Sequence, residues 1–67
     1  MLTMDAYVIK FKGTSLFVEK CKNYRIHTTQ RLECALFFTS ITFMTEFIEK
    51  YMKNTETEIY KIILQKI

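Results

Sequence analysis

This 67-residue sequence predicts a small α+β, two-layer sandwich: an antiparallel or mixed sheet of three to four strands with one amphipathic helix on one face, in the order β-β-(β)-α-β. Three observations lead there. Period-two alternation flanks the chain's only glycine near the N-terminus and returns near the C-terminus. Between these, apolar residues from about Ile41 to Lys53 recur at three- and four-residue steps. The composition, 49% hydrophobic and 25% charged, is that of a folded domain and not of a disordered tail. A chain this short forms a single domain, residues 1–67, and its six phenylalanines and four tyrosines must supply much of the buried area.

Residues 1–5 carry no pattern and are expected to fray, and Met4 competes with Met1 as the translation start. From Ala6 to Phe11, Tyr7, Ile9 and Phe11 share one face and Val8 and Lys10 the other, which is a strand. Lys12-Gly13-Thr14-Ser15 reads as a hairpin turn, with glycine supplying the positive φ that a tight reversal needs. Leu16 to Lys20 returns as a second strand, Leu16 and Val18 on one face and Phe17 and Glu19 on the other. Cys21-Lys22-Asn23 is a polar connection, and Tyr24 to His27 alternates as a short third strand. Thr28 to Phe38 reads two ways: Leu32, Ala35 and Leu36 fit a helical turn, and Ala35 to Phe38 fits a buried strand.

In the helix, Ile41, Met44, Phe47, Ile48 and Tyr51 form the apolar stripe, widened by Phe43 and Met52. Thr39 or Ser40 caps its start, Glu46 and Lys50 form a four-residue pair, and Asn54 ends it in a left-handed conformation. Glu58 to Ile67 is the last strand, with Tyr60, Ile62 and Leu64 opposed to Ile59, Lys61, Ile63 and Gln65. The helix is then expected across Tyr7, Ile9, Phe11, Leu16, Val18, Tyr60, Ile62 and Leu64. Val8, Lys10, Phe17, Glu19, Ile59, Lys61 and Ile63 would line a bare face, the natural place for a partner or a homodimer.

The net charge of +3 is concentrated before residue 36, where Lys10, Lys12, Lys20, Lys22, Arg25 and Arg31 face only Asp5, Glu19 and Glu33. That bias attracts acidic partners but lacks the density of a committed nucleic-acid binder. Alternating aromatic and basic residues in AYVIKFK and KNYRIH nevertheless keep a nucleic-acid regulator as the alternative, its phosphates met by the N-terminal hairpin. Catalysis is not expected: the only histidine, His27, lies six residues from Cys21 and seven from Cys34, and no third group orients a nucleophile–base pair. Cys21, His27 and Cys34 lack zinc-knuckle spacing, and one glycine cannot build a phosphate loop, so neither metal nor cofactor is expected. Glu46 and Glu49 fit a solvated helix face better than an acid–base pair. Without an export signal, free thiols and a cytoplasmic location are expected, and the uncharged run from Cys34 to Thr45 is too short to span a bilayer.

The opening AYVIKF-KGTSLFVEK hairpin, the central ALFFTS leading into FMTEFIEKYMKN and the closing EIYKIILQKI strand resemble, by organisation, short proteins encoded by phages and prophages of low-GC Gram-positive bacteria. The resemblance implies a non-enzymatic accessory protein that binds and inhibits or modulates a host protein, including nucleic-acid-handling ones. Anti-CRISPR, anti-restriction and host-takeover roles belong to that class. No functional residue is carried over from the resemblance; the basic N-terminal hairpin and the bare sheet face point to Lys10, Lys12, Phe17, Lys20, Lys22 and Arg25 as the contact residues.

Overall fold

The computed structural model describes residues 3–65, and the chain runs β1 (Thr3–Phe11), β2 (Phe17–Lys22), β3 (Arg25–Thr29), a 3-10 turn (Leu32–Cys34), α1 (Ile41–Tyr51) and β4 (Thr57–Gln65). The four strands form one antiparallel sheet in the order β3-β2-β1-β4, giving the α+β fold that the alternation predicts. β1 begins at Thr3, ahead of the expected Ala6, because Met4 pairs with Leu64 and Asp5 with Ile63 on β4. Residues 1, 2, 66 and 67, which the expected frayed start and the expected last strand include, lie outside the described residues.

Nine consecutive pairs join β1 to β4, from Thr3↔Gln65 to Phe11↔Thr57. An ion pair stands on each face of this ladder: Lys10 Nζ lies 3.3 Å from Glu58 Oε1 and Lys61 Nζ 3.3 Å from Asp5 Oδ2. A one-residue slip would carry every β4 side chain to the opposite face and separate both pairs, so the ladder holds one register. The register places Ala6 with Ile62, Val8 with Tyr60 and Lys10 with Glu58, and paired residues share a face. Tyr60, Ile62 and Leu64 therefore lie behind the sheet with Val8 and Lys10, and Ile59, Lys61 and Ile63 lie in front. This reverses the expected orientation of the last strand, which is apolar on both parities and contains no internal signal to decide between them.

The β1–β2 turn has Gly13 at φ +76. Thr14 closes it: its N–H and Oγ1 donate to the Phe11 carbonyl at 3.1 and 2.8 Å, while Oγ1 accepts from the Leu16 N–H at 3.1 Å. Beyond the Lys10↔Phe17 pair the two strands part. Leu36 to Phe38 occupies the fork, with the Leu36 N–H bonded to the Val18 carbonyl at 2.8 Å. Phe38 exchanges two bonds with Tyr7, at 2.7 and 2.8 Å. The stretch from Thr28 to Phe38 thus combines shortened forms of both expected elements. It finishes β3, makes one 3-10 turn and enters the sheet as a short bridging segment. Tyr24, expected in β3, belongs instead to the β2–β3 turn, where Asn23 and Tyr24 take φ of 54 and 61.

α1 starts where the Ser40 hydroxyl accepts the Phe43 N–H at 3.3 Å. It ends at Tyr51, with Met52 donating to the Ile48 carbonyl and Thr55 to that of Met52. Asn54 is not left-handed, contrary to expectation, since Asn23 and Tyr24 are the non-glycine residues of positive φ among those described. Lys50 does not pair with Glu46 but lies 5.3 Å from the ring centre of Tyr51. Met44 and Met52 join Ile9 and Val18 in the buried core, with Tyr7, Phe11, Ile26, Leu36, Phe38, Phe47, Ile48 and Tyr51 packed around them. Ile41 and Phe43, expected in the stripe, are exposed. No β4 residue belongs to this cluster. The helix covers the front of β1 and β2 and leaves both faces of β4 open.

Candidate partner-binding face

The back of the sheet is not flat. Val8 and Ala6 are buried there, and a cleft of about 350 Å³ lies over Val8. Phe17, Leu32, Tyr60 and Ile62 supply its apolar walls, and Thr14, Ser15 and Gln30 its polar margin. Leu32 reaches this side because the chain leaving β3 passes over β2 before entering the fork. Lys10, at 18% side-chain exposure, closes one end. Its ammonium donates to the Thr14 carbonyl at 2.7 Å, pairs with Glu58 and stands 5.7 Å from the Tyr60 ring centre. Hydrogen bonding from Lys10 holds the Glu58 carboxyl below the ordinary carboxylate range against the opposing effect of desolvation, helped by the Gly13 N–H and the Tyr60 hydroxyl.

A β-bulge decides what else shares this face. Val18 pairs with Thr28 and Lys20 with His27, so Glu19 is an extra residue in β2. Phe17 pairs with Thr29, which places Phe17, Thr29, His27 and Arg25 on the back. Because of the bulge, Lys20 and Lys22 also face back, opposite His27 and Arg25, whereas Cys21 turns to the front beside Ile26. Without the extra residue, Lys20 and Lys22 would have pointed to the helix side. Among the described residues no carboxylate lies within 4.0 Å of Lys20, Lys22 or Arg25. Basic side chains directly opposite each other on a ladder repel, so this cluster costs the fold free energy.

The six residues expected as contacts therefore divide into three groups. Lys20, Lys22 and Arg25 are brought together and exposed. Phe17 forms the cleft wall. Lys10 and Lys12 are drawn off by Glu58 and by Glu56, the latter at 4.0 Å. Sequence reasoning missed Tyr60, Ile62, Leu32 and His27. The parity of Val8 and Lys10 would have found Tyr60 and Ile62 had the β1–β4 register been known, but nothing in the sequence marks Leu32. A second, smaller hollow of about 250 Å³ runs beside α1 between Phe38, Phe43, Phe47 and Tyr51. No family model, curated protein or solved structure matches this chain. Its reading rests on its own chemistry.

Elsewhere the described residues offer little chemistry. Cys21 and Cys34 are free thiols, Cys21 half-buried and Cys34 exposed. No three His, Cys, Asp or Glu side chains among the described residues gather as metal ligands. Among the described residues no helix is long and apolar enough to cross a membrane.

Proposed function

We propose that this chain is a non-enzymatic binding module that occludes or modulates another protein, engaging it with the back of the sheet. One observation carries the reading: the same face holds an apolar cleft and a cationic ladder that no carboxylate among the described residues neutralises. Apolar anchors in a cleft supply affinity, and an adjoining charged patch supplies orientation and speed of encounter. The fitting partner presents an apolar side chain flanked by acidic residues. A host protein bound by a phage-type accessory protein is the partner that the sequence organisation favours, and Tyr60, Phe17, Lys20, Lys22 and Arg25 are its contacts.

Affinity capture from nuclease-treated bacterial lysate, with partners identified by mass spectrometry, tests the reading with two variants. Lys20→Glu/Lys22→Glu/Arg25→Glu and, separately, Tyr60→Asp should each lose the same protein while circular dichroism stays unchanged. Retention by both variants refutes the face. If the isolated chain instead binds a mixed-sequence DNA or RNA oligonucleotide, with affinity that falls steeply with salt and is indifferent to Tyr60→Asp, the nucleic-acid reading replaces it.

A further inference from the structure

We propose that two copies of this chain pair through the free edge of β4, antiparallel about a twofold axis at Ile62, to make one continuous eight-stranded sheet. The inference is independent of the partner reading above. It starts from the hydrogen-bonding direction of β4. The Lys12 N–H donates to the Glu56 carbonyl at 3.1 Å, and Tyr7 directs its N–H and carbonyl away from β4 to Phe38. Even-numbered residues of β4 thus bond to β1, and Thr57, Ile59, Lys61 and Ile63 direct their N–H and carbonyl groups outward along the sheet. Soluble proteins blunt such edges by shortening, bulging or charging them. β3, at the opposite edge, is short and carries Arg25 and His27. β4 is nine residues long, pairs without a bulge and contains no proline. It exposes Ile59 at 42%, Tyr60 at 44%, Ile63 at 62% and Leu64 at 49%.

The occupant follows from charge and register. The two charges of this strand, Glu58 and Lys61, are each neutralised within the chain, by Lys10 and Asp5. A second β4 therefore meets no uncompensated charge. In a sheet continued by a twofold axis, paired residues must have the same parity. Centring on Lys61 sets two ammonium groups opposite each other, and centring on Tyr60 sets Glu58 opposite Ile62, both unfavourable. Centring on Ile62 pairs Tyr60 with Leu64 of the second copy and Ile62 with its own equivalent, so the back of the joined sheets is an unbroken apolar band.

Sedimentation equilibrium should give the mass of two chains. Ile63→Pro should give one chain with circular dichroism unchanged, because the Ile63 N–H points outward and is not used by β1. Ile63→Lys, which retains that N–H but faces Lys61 of the second copy, should also give one chain. At Ile62 the two copies form a non-hydrogen-bonded pair with Cα atoms about 4.5 Å apart, within disulfide reach of roughly 4.4–6.8 Å. In a Cys21→Ser/Cys34→Ser background, Ile62→Cys should therefore cross-link on oxidation and Tyr60→Cys should not. A monomeric wild-type chain, a dimer that survives both Ile63 variants, or cross-linking at Tyr60 instead of Ile62 would overturn the proposal.

Discussion

At the scale of single residues, Tyr24 shows a cost retained for a contact. Its φ of 61 places a Cβ in the left-handed region, which costs roughly 1–2 kcal/mol in a non-glycine residue. The two-residue Asn23-Tyr24 turn between Lys22 and Arg25 would be easier to form with glycine at the second position. The ring, however, lies 5.7 Å from Tyr51, whose own ring stacks at 5.0 Å on Phe47, and tilted aromatic pairs contribute about 0.5–1.5 kcal/mol beyond burial. Tyr24→Gly is expected to leave stability within about 1 kcal/mol in the native background and to raise it by roughly 1 kcal/mol when Tyr51 is already alanine. A double-mutant cycle by urea melts checks this, and equal effects in both backgrounds would refute the coupling. Glu58 gives a pH-dependent counterpart. Its carboxyl is held below the ordinary value by Lys10, so its stabilising contribution is present above pH 4.5 and is lost as the pH falls through the lowered value. The melting-temperature difference between the native chain and Glu58→Gln should accordingly shrink as the pH drops below 4.5.

At the scale of elements, the fork between β1 and β2 is the unusual feature. Leu36 to Phe38 satisfies backbone groups of both strands where they no longer reach each other. Phe38 also packs its ring 5.3 Å from Phe47, which ties the segment to the helix. The amides of Tyr7, Leu36 and Phe38 are therefore expected to exchange with solvent hydrogen as slowly as those of Val8 and Lys10 on the β1–β4 ladder. Exchange at loop-like rates would show that the segment does not close the sheet. Phe38→Ala should cost about 2–3 kcal/mol, less than a fully buried phenylalanine, and the exposed Phe37→Ala under about 1 kcal/mol. These elements also mark where sequence patterning stops being informative. The α1 stripe and the first hairpin were legible because each contrasts an apolar face with a polar one. β4 was not, since both parities are apolar and its orientation comes from Lys10–Glu58 and Asp5–Lys61, contacts between strands far apart in the chain. The bulge at Glu19 carries no glycine to announce it, and Lys20 and Lys22, proposed as contacts, owe their face to it. The bridging segment had competing local signals, and tertiary hydrogen bonds realised each in part, a 3-10 turn at Leu32–Cys34 followed by a sheet bridge at Phe38.

At the scale of the whole molecule, the distribution of net charge opposes folding, a cost that the proposed binding role would account for. The chain carries +3, and two of its cations stand directly opposite each other on the back of the β2–β3 hairpin, where Lys22 faces Arg25 with Lys20 beside them. Nothing in the core requires cations there, because Val18 and Ile26 close that side of the sheet from the front. If selection had acted on stability alone, an acidic residue at one of these positions would have converted repulsion into a cross-strand ion pair. Such pairs contribute roughly 0.2–1 kcal/mol, and directly opposed like charges are destabilising. Lys22→Glu should therefore raise the melting temperature of the isolated chain, and the gain should diminish with added salt as screening weakens both the old repulsion and the new attraction. The same substitution should weaken binding to the captured partner, chiefly by slowing association, since charges at the rim of an interface act on the rate of encounter. Thermal melts at low and high salt, set beside association rates by surface plasmon resonance, measure both effects on one variant. A variant that is more stable and binds unchanged would remove the cationic ladder from the interface and leave the cleft around Tyr60 to act by itself. A variant that is less stable would show that the Lys22 ammonium has a favourable role in the fold, and the charge cluster would then need no partner to explain it.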